Sequence, residues 1–123
     1  MVNLRALVDE MVAIQTAMGD AALAAREDSR QRTALVTMRK RFARQVLLIS
    51  QAIDGDAQLN ADPELAAEFR RRFSDMRSKI ALHQAKWPAV LLDHVEPEFI
   101  KSAETIIASN HLFAGWALAT LKA

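Results

Sequence analysis

The chain has 123 residues, 51% of them hydrophobic and 25% charged, with a formal net charge of +1. That length supports one buried core, hence a single domain over 1–123. Three glycines and three prolines are too few turn formers for a sheet protein, and the lack of cysteine excludes disulfides and thiolate metal sites.

Leu4, Leu7, Met11, Ile14, Met18, Ala21 and Ala25 recur at spacings of three and four, which predicts a first helix over about 2–25. The stripe turns charged in "REDSRQR" and resumes at Leu35, Met38, Phe42, Val46, Ile49 and Ile53, a second helix over 29–53 with Asp28 or Ser29 as its cap. No Pro or Gly separates the two, so a continuous rod over 2–53 is the competing arrangement. "DGDAQLNADP", residues 54–63, reads as a loop.

Asp62 as cap and Pro63 as first helical residue start a third helix over 63–87, with an apolar face of Leu65, Phe69, Phe73, Met76, Ile80, His83 and Trp87. Pro88 ends or kinks it, since proline lacks the backbone donor and clashes with the preceding turn. "AVLLDHV" is expected to form a short turn beyond the bend. A fourth helix over about 96–121 begins with Pro97 and carries one broad apolar face. The predicted fold class is therefore all-α, an antiparallel four-helix bundle.

Charge is segregated along the chain. Residues 26–44 hold seven Lys/Arg against two acids, and residues 70–86 hold six against one. A polarised surface of this kind steers an acidic partner, whereas the plain reading is two solvated helix flanks. Glu68–Arg72 and Asp75–Lys79, four apart, take up part of the charge as intrahelical pairs.

His83 and Lys86, within "IALHQAKW", resemble the centre of histidine phosphotransfer domains, which are four-helix bundles with a motif of roughly His-x-x-Lys-Gly. The resemblance implies phosphoryl transfer through His83, with Lys86 neutralising the phosphoryl group. The sequence departs from that pattern at Trp87 and Pro88, where the family has a small residue and a receiver domain must approach. Position also counts for a structural role, because His83 falls on the core stripe, where a neutral imidazole needs one hydrogen bond. Asn110 projects from the apolar face of the fourth helix, and His83 with Asn110 is the predicted buried polar pair. The alternative for the same two residues is a small-molecule pocket.

Leu112 and Trp116 lie one turn apart, roughly opposite that face, and are the predicted partner-binding residues, with a two-fold homodimer as the simplest version. His83, His94 and His111 stand on different segments without ligand spacing, so no metal is expected. No motif implies a cofactor, a catalytic residue or a nucleic-acid interface. No apolar run approaches the ~20 residues of a membrane span, and the charged N-terminus lacks the layout of a signal peptide. The expectation is a cytoplasmic, non-enzymatic bundle acting through protein–protein interaction, with histidine phosphotransfer through His83 as the alternative.

Overall fold

The computed structural model describes residues 3–24, 30–89 and 97–122. Four long helices, α1 (Leu4–Ala24), α2 (Gln31–Ile53), α4 (Pro63–Lys86) and α5 (Pro97–Thr120), enclose one core, and a single-turn helix α3 (Ala57–Ala61) lies at one end. The predicted loop over 54–63 therefore contains a helix. Asp56 explains it: its carboxylate accepts from the Leu59 backbone N–H at 3.0 Å, and Leu59 is fully buried. The predicted caps Asp28 and Ser29 and the turn expected after Ala89 lie outside the described residues. Arg30, at the N-cap of α2, makes no side-chain capping bond.

α1 and α2 are separate antiparallel helices packed along each other, not one rod. Gln45, two-thirds of the way along α2, donates to the Leu7 carbonyl near the start of α1 at 2.8 Å. α5 packs on the other side of α1 and against α4, and α4 lies beside α2 through Arg70–Asp54 (2.9 Å). α2 and α4 approach each other less closely than the other neighbouring pairs.

The apolar stripes face inward as their spacing requires. Leu4, Val8, Met11, Leu35, Ile49, Phe69, Met76 and Phe99 are all at most 2% exposed. α4 starts where Asp62 accepts from the Leu65 N–H at 3.1 Å, with Pro63 filling a position that needs no donor. It stops at Lys86; the Trp87 N–H still reaches the His83 carbonyl at 2.9 Å, and Pro88 cannot continue the ladder. Arg5 donates to the Leu118 and Leu121 carbonyls, and Gln58 of α3 donates to the Thr120 carbonyl at 2.9 Å. The orphan acceptors at the end of α5 are thus satisfied from two other helices.

Candidate functional site

His83 is half-buried at the α4/α5 seam. Its Nδ1 lies 2.7 Å from Ser102 Oγ, and its ring stacks on Phe99 with centroids 5.7 Å apart. Burial, with a smaller contribution from the Arg39 charge, pushes its pKa down to about 4. The imidazole is therefore neutral near pH 7. Arg39 reaches over from α2 and donates to the Trp87 carbonyl at 2.7 Å, and burial lowers its pKa as well. Lys86 is exposed and stands over the Trp87 ring at 5.6 Å.

The structure does not pair His83 with Asn110. A spacing of eight residues puts Asn110 two turns along α5 from Ser102, about 12 Å away. Ser102 intercepts the imidazole because it sits directly across the seam from His83. Asn110 is 4% exposed, and its Oδ1 has no hydrogen-bond partner among the described residues. Both residues nevertheless line one narrow crevice of about 30 Å³, together with Gln15, Leu35 and Arg39.

Leu112 and Trp116 also part company. Leu112 is 77% exposed, as the sequence predicts. Trp116 is half-buried in its own bundle, 6.0 Å from Phe69 and 6.3 Å from Phe113 by ring centroid. The Arg72 guanidinium covers it at 4.5 Å. The outward Leu112/Trp116 patch is thus not formed. The indole is long enough to lean from the helix flank into the aromatic cluster, and an arginine of the same chain takes the place a partner would have filled.

Three features escaped the sequence reading. Gln15 and Gln45 are buried, Gln15 with its amide on Met76 Sδ at 3.4 Å. The signal for Gln15 is a second apolar register, in which Val8, Met11, Gln15, Met18 and Ala22 repeat at three and four, and that for Gln45 is its place between Phe42 and Ile49 on the α2 stripe. The third is a furrow of about 430 Å³ between α2 and α4. Its floor is Phe42, Val46 and Ile80, and its walls are the small side chains Ala43, Ser74, Ser78 and Ala81. Arg77 lines it too, 3.5 Å from Ser50 Oγ. On α2, Lys40 and Leu47 lie one turn to either side of Ala43, both exposed, and Arg44 is exposed beside them.

Among the described residues no cluster of His, Asp and Glu has the arrangement to hold a metal ion, and no helix is long and apolar enough to cross a membrane. No family model, no curated protein and no solved structure matches this chain.

Proposed function

We propose that this bundle works by binding another protein, without chemistry of its own, and that the α2/α4 furrow takes an acidic amphipathic helix of that partner. The observation that carries the reading is the furrow itself, small-residue walls over a buried apolar floor, with Arg77 in its lining and Lys40 and Arg44 exposed nearby on α2. Helices that pack closely leave no such channel; α2 and α4 stand apart, and the small side chains Ala43, Ser74, Ser78 and Ala81 leave the space between them unfilled. A helix laid there would set its apolar stripe against Ala43, Ala81 and the exposed Leu47, above the already buried Phe42, Val46 and Ile80, and present carboxylates to Lys40, Arg44 and Arg77. Leu47, 57% exposed at the rim, supplies further apolar area for the same contact.

Phosphoryl transfer through His83 lacks comparable support. A phosphoacceptor nitrogen needs an open approach, and here the half-buried ring stacks on Phe99 and its Nδ1 is engaged by Ser102. With Trp116 packed at home, a homodimer through Leu112 and Trp116 has only Leu112 left to anchor it.

Affinity capture from the native cell, comparing the wild type with Lys40→Glu/Arg44→Glu, tests the furrow. The wild type is expected to retain a protein bearing an acidic amphipathic helix, with an affinity that falls as salt rises. The charge-reversed variant is expected to lose it at least tenfold. Equal retention of that partner by both proteins would overturn the assignment of the furrow.

A further inference from the structure

The outward side of α5 carries almost no charge. From Thr105 to Thr120 there is no Asp, Glu, Lys or Arg, the longest such run in any of the helices. Thr105, Ala108, Leu112, Gly115 and Ala119 are exposed along it and follow one another at alternating spacings of three and four. Leu112 is 77% exposed, and a Cβ added at Gly115 would meet nothing within 4 Å. α1 and α4 already flank α5, so this strip stands outside the core of its own bundle. A solvent-facing helix strip is ordinarily charged, whereas an uncharged one repeating at about 3.5 residues is the seam along which two helices pair.

The charges that bound the strip identify the partner. Glu104 and Lys122 are exposed at its two ends, and neither makes an ion pair among the described residues. By helical rise each lies about 13–14 Å from the point midway between Leu112 and Gly115. A two-fold axis through that point brings Glu104 of one copy to Lys122 of the other, twice over. The same operation sets Leu112 of one copy against Gly115 of the other, and Ala108 against Ala119. The largest side chain of the strip thus meets the smallest, and the helix axes can close to about 8 Å. Parallel pairing would instead stack Glu104 on Glu104 and Lys122 on Lys122.

We infer that this protein pairs with a second copy of itself through the outer face of α5, as an antiparallel two-fold dimer with Leu112 seated on Gly115. The strip is about 27 Å long and about 10 Å wide. With its flanks the pair buries roughly 1,000 Å² in total, the small end of specific interfaces, which suits a dimer that dissociates on dilution. Trp116 takes no part; it stays in its own aromatic cluster under Arg72. The strip lies apart from the α2/α4 furrow, so the pairing stands whether or not another protein binds there.

Sedimentation equilibrium from micromolar to millimolar concentration tests the pairing. The wild type is expected to pass from monomer to dimer and no further. Leu112→Glu changes a side chain already in solvent and is expected to weaken dimerisation about tenfold or more, by placing a carboxylate in the seam. Glu104→Lys is expected to weaken it about threefold or more at low salt, and Glu104→Lys/Lys122→Glu to restore it. All three variants alter exposed positions, and an unchanged circular dichroism spectrum in dilute solution checks that the fold is kept. Four results would overturn the inference: a wild type still monomeric at millimolar concentration, association that continues past the dimer, a Leu112→Glu protein that dimerises like the wild type, or a charge swap no better than Glu104→Lys alone.

Discussion

The Arg72 guanidinium lies 4.5 Å from the centroid of the Trp116 ring, joining the outer flank of α4 to that of α5. The same arginine donates to Glu68 at 3.0 Å, one turn back on its own helix. One side chain therefore completes an intrahelical ion pair and shields an indole that α5 alone would leave in water. Below the indole, Phe69, Phe73 and Phe113 form a connected cluster with centroids 5.8–6.1 Å apart. The cluster draws Trp116 inward, and Arg72 closes over it.

Truncating this arrangement should cost stability, not assembly. Trp116→Ala is expected to lose about 2–3 kcal/mol, less than a fully buried Trp because the ring is half-exposed. A double-mutant cycle with Arg72→Ala should give a coupling of about 0.5–1 kcal/mol, the range of an exposed cation–π contact. Chemical denaturation measures both values. A Trp116→Ala protein as stable as the wild type would contradict the packing described here.

His83 makes stability depend on pH. Its folded pKa of about 4 lies below the unfolded value of 6.5, so between those values the unfolded chain binds the extra proton. Its contribution is fully present above pH 6.5 and is lost as pH falls toward 4. For a half-buried ring, after allowance for solvent screening, the loss should be roughly 1–2 kcal/mol. Denaturation at pH 7 and pH 4.5 on the wild type and His83→Gln checks it, the difference between the two proteins isolating this residue from the carboxylates. An NMR titration placing the His83 midpoint near 6.5 would refute the burial argument.

The hydrogen-bond partner of His83 is separately testable. His83→Phe and Ser102→Ala remove the two ends of one 2.7 Å contact, so their effects on stability should be non-additive by at least 0.5 kcal/mol. His83→Phe and Asn110→Leu touch groups about two helical turns apart and should add within ~0.5 kcal/mol. A coupling confined to the second cycle would return Asn110 to the imidazole.

Gly19 on α1 and Gly115 on α5 should respond differently to alanine. At Gly115 an added methyl meets open space, and Gly115→Ala should stabilise by ~0.5–1 kcal/mol through helix propensity. At Gly19 the same methyl would sit 3.1 Å from Ile107 Cδ1, so Ile107 must shift and Gly19→Ala should gain less or lose stability. Thermal melts of the two variants rank them directly. The reverse ranking would mean that α1 and α5 are not in the register described.

The N-terminus of α4 offers a simpler check. Asp62→Ala removes the acceptor of the Leu65 N–H and should cost ~1 kcal/mol. Asp62→Ser should recover most of it, because serine also caps. No loss in Asp62→Ala would show that the bond contributes nothing in solution.

The sequence by itself determined the four long helices and the class of fold. Period-3.6 stripes identify inward faces wherever large apolar residues mark them, and Asp62–Pro63, Lys86–Pro88 and Pro97 punctuate the chain through local sterics that need no tertiary contact. Periodicity also placed Phe69, Phe73, Met76 and Ile80 in the core and Asn110 among apolar neighbours. Only the tertiary structure decided what lies across each seam. His83 bonds Ser102 and not Asn110, Trp116 turns inward under Arg72, and Gln15 and Gln45 are buried. The α2/α4 furrow is likewise invisible in the sequence, since it is the space that small residues of two different helices leave unfilled once other contacts have placed those helices. A helical period fixes the direction in which a side chain leaves its own axis; its partner is set by the rotation and spacing of the neighbouring helix, which no local signal encodes.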